Sequence, residues 1–209
     1  MSDFVNIKID GKEIRAKKGE TILRIAGENN IYIPILCYAP IFPAQANCRL
    51  CLVEIKNQRG LKTACSTKVE EGMEILTETD NIKKTRNTNL KLLFVNHIGK
   101  CPTCIRKDRC ELKNLTIKYK VYISDFKGKQ LDIPVDDSGV VVFDLNECIK
   151  CRRCIFACKT YGSDVLTLKN KGFNTVIATK NGKKLKDSGC IGCKQCAEVC
   201  PVGAIYINR

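Results

Sequence analysis

Polar and apolar residues alternate along "FVNIKIDGKEIRA" (4–16), on both sides of Asp10 and Gly11. A period of two predicts strands, and Asp-Gly between two such runs predicts a type I′ hairpin. The period then changes. In "GETILRIAGENN" (19–30), Ile22, Ile25 and Ala26 fall at helical spacing and the two asparagines supply a stop. "LCLVEIK" (50–56) and "MEILTE" (73–78) predict further strands. From Asp80, the predicted N-cap, Ile82, Arg86, Leu90, Leu93 and Phe94 keep a 3.6-residue stripe whose simplest role is core packing. "CELKNLTIKY" (110–119) predicts a second, short helix, and "AIYI" (204–207) a short strand.

Gly, Pro and clustered Asp in "SDFKGKQLDIPVDDSG" (124–139) predict a linker or surface loop. After it comes an internal repeat. "CIKCRRCIFAC" and "CIGCKQCAEVC" share one spacing and start 42 residues apart, which predicts a two-fold pseudo-symmetric module. The expected fold class is α+β in three parts. Residues 1–78 have the element order of a β-grasp ferredoxin: two strands, a helix, a cysteine loop, more strands. Residues 79–120 read as a small helical domain, and 121–209 as a linker followed by a two-cluster ferredoxin module.

Composition sharpens this picture through cysteine, of which there are fifteen in 209 residues. A secreted disulfide scaffold is one use for so many. Against it, the start "MSDFVNIKIDGKEI" has no apolar run of signal-peptide type, and an odd count leaves one thiol over. No stretch approaches the ~18 apolar residues of a membrane span. A cytoplasmic, metal-binding chain with no direct membrane span is the expectation. The formal charge of +14 raises nucleic acid as a partner. The lysines are spread along the chain without interleaved aromatics, however, and metal-bound cysteines are thiolates, each adding a negative charge.

The cysteines fall into four groups. The repeats have the C-x2-C-x2-C-x3-C spacing of bacterial 4Fe–4S ferredoxins. Three cysteines on a tight loop cap one cluster, and the fourth, on the next turn, points to the other. The expected sets are Cys148, Cys151, Cys154 and Cys200 for one cluster, and Cys158, Cys190, Cys193 and Cys196 for the other. Pro201 follows Cys200 as the motif requires, whereas Lys159 stands at the matching place in the first repeat. Structural zinc, the alternative, uses two C-x2-C pairs, and two runs of four exceed that need. A further group, Cys37, Cys48, Cys51 and Cys65, is a loop plus one remote ligand, the plan of a 2Fe–2S site with a longer first gap than in plant ferredoxins. Its loop, "CYAPIFPAQANCRLC", is rich in Pro and small residues, suited to wrapping a backbone round a cluster. Asn47, where Gly is common, is expected to tolerate a positive φ there.

The remaining group, Cys101, Cys104 and Cys110, is one ligand short, and the only histidine of the chain, His97, lies just before it. "CRLCLVEI", a cysteine fourteen residues on, then H-x3-C-x2-C-x5-C and two ferredoxin motifs together resemble one family. It is the iron–sulfur segment at the N-terminus of the large peripheral-arm subunit of respiratory complex I and of multi-cluster iron-only hydrogenases. As a chain of this length it is similar to the diaphorase iron–sulfur subunit (HoxU type) of NAD-linked hydrogenases. The resemblance covers nearly the whole chain. It implies a 4Fe–4S cluster held by His97, Cys101, Cys104 and Cys110. A count agrees: one 2Fe–2S and three 4Fe–4S clusters need sixteen ligands, and the chain has fifteen cysteines and one histidine. Fifteen bound thiolates then subtract fifteen charges and oxidised cores return eight, leaving about +7. That charge suits an acidic partner and no longer calls for nucleic acid.

No dinucleotide-binding glycine motif, Walker loop, catalytic triad or hydrolase elbow appears in the sequence. With no catalytic residue and every ligand committed to a four-ligand site, the chain is expected to be non-catalytic alone. The resemblance implies a one-electron relay between a flavoprotein (FMN or FAD) that oxidises NAD(P)H and a catalytic subunit of hydrogenase or formate dehydrogenase type. A histidine ligand, neutral where a thiolate is charged, should raise the potential of its cluster. The rival reading is a free-standing polyferredoxin carrier; a zinc-rich nucleic-acid-binding protein is a third.

Overall fold

The computed structural model describes residues 3–128 and 132–208, so part of the 124–139 segment lies outside the described residues. It divides into two compact units: Met1–Tyr38 with Ala44–Leu90, and Ala39–Pro43 with Lys91–Arg209.

In the first unit, β1 (Phe4–Ile9) and β2 (Lys12–Lys17) form the expected antiparallel hairpin, in register from Phe4↔Lys17 to Ile9↔Lys12. Asp10 and Gly11 both have positive φ, 49° and 84°, as a type I′ turn requires. Helix α1 (Ile22–Glu28) starts at Thr21, whose hydroxyl accepts from the Arg24 amide. Strands β3 (Leu52–Ile55), β4 (Lys62–Thr63) and β5 (Glu74–Leu76) complete a sheet of order β2-β1-β5-β3-β4. Only the β1–β5 pair in it is parallel. The two-residue β4 carries too little pattern to be read from sequence. Alternation places Val5, Ile7, Ile9, Ile14 and Ala16 on one face of the sheet, where they join Ile22, Ile25, Val53, Ile55 and Ile75 in a single core. The Asp10 carboxylate accepts from the amide and hydroxyl of Thr77 at 2.8 and 2.6 Å, fastening the hairpin turn to the end of β5.

Helix α2 (Asp80–Phe94) follows. Its cap is Thr79, not the expected Asp80: the Thr79 hydroxyl accepts from the Ile82 amide and its carbonyl from Lys83. Asp80 lies in the first turn instead, where its charge suits the helix dipole.

The second unit is poorer in regular structure. Helix α3 (Glu111–Lys118) is the expected short helix. Strand β6 (Val141–Phe143) pairs with β9 (Ile205–Ile207), joining the chain before the first repeat to the chain after the second. Helix α4 (Arg153–Tyr161) carries Cys154 and Cys158 of the first repeat, and helix α5 (Gln195–Glu198) carries Cys196 of the second, with Cys200 just beyond its end. Between the repeats, β7 (Leu166–Lys169) and β8 (Val176–Thr179) form a hairpin that the local sequence pattern does not announce. Among the described residues no helix is long and apolar enough to cross a membrane.

Candidate metal centres

The structure gathers the sixteen predicted side chains into four groups, the first within one unit and the other three within the second. Cys37, Cys48, Cys51 and Cys65 are all buried. The Cys48 amide donates to Cys37 Sγ at 3.4 Å. The Cys48 thiol bonds to Cys37 and the Cys51 thiol to Cys65; these bonds, with burial, push Cys48 and Cys51 up, while the bond from Cys51 holds Cys65 below the usual thiol value against the effect of burial. Such a set is costly as four free thiolates and natural around cationic iron. The loop turns through positive φ at Ala46 (48°) and Arg49 (54°), the residues flanking the Asn47–Cys48 pair. Asn47, expected to take that conformation, does not.

Arg86, read from sequence as a member of a core stripe, has a different part. Its side chain is fully buried, with Nε 2.9 Å from the Leu50 carbonyl, Nη2 2.8 Å from that of Leu52 and Nη1 2.6 Å from Glu78 Oε1. Asn89, one turn on, donates to the Arg49 carbonyl at 2.9 Å. Helix α2 thus grips three carbonyls around Cys51. A charged residue inside an apolar stripe was the available signal.

His97, Cys101, Cys104 and Cys110 line one small cavity. His97 ends a 3₁₀ turn (Val95–His97) and is buried. Its Nδ1 stands 3.2 Å from Glu147 Oε2, and Lys100 Nζ stands 2.6 Å from Glu147 Oε1. Burial lowers the imidazole pKa below its usual value, Glu147 opposes this and Lys100 adds to it, so the ring is neutral near pH 7 and fit to be a ligand. Cys110 caps α3, its sulfur accepting from the Lys113 amide at 3.4 Å, and burial pushes its thiol up. Gly203 closes the cavity: a Cβ there would lie 2.7 Å from Cys104 Sγ. Neither Glu147 nor Gly203 was singled out from sequence, because neither belongs to a spacing motif.

In the repeats, the thiols that raise one another most are those expected to share a cluster. Cys154 is raised by burial first, then by Cys148, Cys151 and Cys200, and last by Cys196 of the other set; Cys196 is raised by burial, then by Cys158, Cys190 and Cys193. Cys148 is pushed up to about 11, Cys151 and Cys196 to about 12. The two loops have the same backbone. Lys150 and Arg152 have φ of 57° and 68°, and their counterparts Gly192 and Lys194 have 72° and 63°. The Lys150 and Gly192 amides donate to Cys148 and Cys190 sulfurs at 3.3 and 3.4 Å. Left-handed turns of this kind aim successive amides at one point, as a cluster bearing negative charge needs. Gly162 approaches the second set closely, a Cβ there lying 3.2 Å from Cys193 Sγ.

The donor sets fit iron–sulfur clusters: soft thiolates, one neutral imidazole, and amides directed at sulfur. Among the described residues no three His, Cys, Asp or Glu side chains converge as ligands of a single ion would. A lone zinc ion needs four donors at about 2.0–2.3 Å.

Comparison with known proteins agrees with this chemistry. Residues 2–80 match the 2Fe-2S iron-sulfur cluster binding domain, 86–124 the NADH-ubiquinone oxidoreductase-G iron-sulfur binding region, and 141–207 the 4Fe-4S dicluster domain. The chain is 35% identical over 209 residues to NADP-reducing hydrogenase subunit HndD of Solidesulfovibrio fructosivorans, covering 97% of this chain and 36% of the relative. It is 34% identical over 204 residues to the NADH-ubiquinone oxidoreductase 75 kDa subunit of Reclinomonas americana, covering 97% of this chain and 29% of that protein. The chain therefore spans about a third of the length of these relatives. A solved chain of an NAD+-reducing [NiFe]-hydrogenase in the H2-reduced state superposes with a TM-score of 0.90 at 26% identity, over 98% of this chain and 87% of that one.

Proposed function

We propose, for a chain whose iron–sulfur domains are those typical of the NADH-ubiquinone oxidoreductase 75 kDa subunit and of NAD(P)-reducing hydrogenase subunits, a relay that moves single electrons through one 2Fe–2S and three 4Fe–4S clusters. The relay runs between a flavoprotein subunit that handles NAD(P)H and a catalytic oxidoreductase subunit, in the cytoplasm, where fifteen thiols stay reduced. What supports this reading is that fifteen free cysteines and one histidine equal the sixteen ligands that four such clusters need.

Residues 1–78 hold the 2Fe–2S cluster on Cys37, Cys48, Cys51 and Cys65. Residues 79–120 hold a 4Fe–4S cluster on His97, Cys101, Cys104 and Cys110. Residues 121–209 hold two more, on Cys148, Cys151, Cys154 and Cys200 and on Cys158, Cys190, Cys193 and Cys196. Each bound cluster supplies one-electron redox chemistry. The protein limits water by burying ten of the fifteen cysteines, fixes ligands by N–H···S bonds, and sets potentials through the groups around them.

Anaerobically prepared protein is expected to contain about 14 iron atoms, counted from the cluster types. His97→Ala should alter one 4Fe–4S EPR signal and leave the 2Fe–2S signal intact. NADH oxidation should appear only when a flavoprotein subunit is present. Iron and labile sulfide near zero, or NADH oxidation by the chain alone, would sink the relay.

A further inference from the structure

His97 and Lys100 belong to one turn, in which the Lys100 amide bonds to the His97 carbonyl at 3.1 Å. Both side chains meet Glu147 from that turn, one on each carboxylate oxygen, at 3.2 Å from Nδ1 and 2.6 Å from Nζ. Oε2 is buried and makes no hydrogen bond of regular geometry among the described residues; the imidazole Nδ1 contacts it at 3.2 Å. Glu147 comes from a distant stretch, a 3₁₀ turn (Leu145–Glu147) capped by Asp144, whose amide bonds to the Ala204 carbonyl at 2.9 Å beside the β6–β9 pair. The turn that carries Glu147 is therefore anchored beside the sheet, and Lys100 bonds its carboxylate.

A carboxylate only accepts, so it selects the tautomer with the proton on Nδ1. That leaves the Nε2 lone pair as the ring's one free donor, in a cavity lined by Cys101, Cys104 and Cys110. We infer that Glu147 is a positioning residue for the His97-ligated cluster: it fixes the imidazole tautomer and rotation, makes the ring a stronger donor, and with Lys100 sets the cluster's potential. This rests on the proposed ligation of a cluster by His97. Carboxylate–histidine pairs do the same for ligands of single metal ions. Glu147 also directly precedes Cys148 in the chain, so one residue braces the His97 site while adjoining a ligand of another.

The test uses the full cluster-loaded chain, with iron content measured first, in wild type, Glu147→Gln and Lys100→Met. Pulsed EPR of the reduced protein reads nitrogen coupling to a 4Fe–4S cluster, and potentiometric EPR reads its potential. Wild type should show the coupling. Glu147→Gln, losing a negative charge, should make that cluster easier to reduce by about tenfold, ~59 mV for one electron, and should change the nitrogen coupling. Lys100→Met, losing a positive charge and leaving the carboxylate on the ring, should shift the potential the opposite way. The 2Fe–2S potential should stay put in both. Should Glu147→Gln fail to hold the cluster, Lys100→Met still reads the sign. With wild-type coupling present, absent or same-sign shifts overturn the role of Glu147 and leave the ligation standing. Absence of coupling in wild type removes the His97 ligation and this role with it.

Discussion

Arg86 heads the fully buried side chains by volume, and it carries a charge. The positioning of Cys51 depends on it, since its guanidinium satisfies the carbonyls on either side of that residue. Only a planar fork reaches two carbonyls and a carboxylate at once, so lysine is a poor replacement. Arg86→Ala leaves two buried acceptors unpaired and should cost about 2–4 kcal/mol. The loss should appear as a lower denaturant midpoint for bleaching of the 2Fe–2S absorbance, with the 4Fe–4S signals little changed. Arg86→Lys should recover only part of it. Residues of this kind were hidden from the sequence for a common reason. Arg86, Glu147 and Gly203 act through neighbours distant in the chain, whereas the cysteine spacings are local and legible.

At the scale of elements, the two repeats are one design written twice, and the first copy holds one more left-handed non-glycine residue than the second. Lys150 adopts a left-handed conformation where its counterpart is Gly192. Left-handed backbone costs a non-glycine residue about 1–2 kcal/mol, and glycine's extra freedom when unfolded takes back roughly 0.5–1. Lys150→Gly should therefore stabilise the loop by about 0.5–1 kcal/mol, from the difference of those two effects. Gly192→Ala should destabilise by about 1–2 kcal/mol, and its Cβ would also press on Val140 at 3.2 Å. Rates of cluster loss to a chelator compare the two. Elements with a long pattern, such as the β1–β2 hairpin and α2, were read from the sequence to within a residue or two. The three-residue β6 and the β7–β8 hairpin were not, since short strands are defined by partners that a local pattern does not name.

Across the whole molecule, the units differ in what holds them together. The first has a continuous apolar core between its sheet and α1. The second relies on elements too short to stand alone, among them the nine residues of α4 and the four of α5, against the ~12–15 that an isolated helix needs. The buried cysteines there take the place of a larger core, so bound metal contributes directly to folding. Anaerobic removal of iron should leave β1, β2 and β5 amides protected in hydrogen exchange while those of α4, α5, β6 and β9 lose protection. Equal loss in both units would contradict this division.

Gly203 against Cys104, and the Glu111 amide on the Pro201 carbonyl at 2.9 Å, set a schedule for synthesis. The wall of the His97 site is translated about a hundred residues after the cysteine it covers, a wait of roughly 5–20 s at typical elongation rates. The first site, whose ligands and clamp lie between Cys37 and Arg86, is complete long before. One centre can thus close on the growing chain, while the other stands open as bare thiols until the last strand emerges, and needs protection from oxygen for that interval.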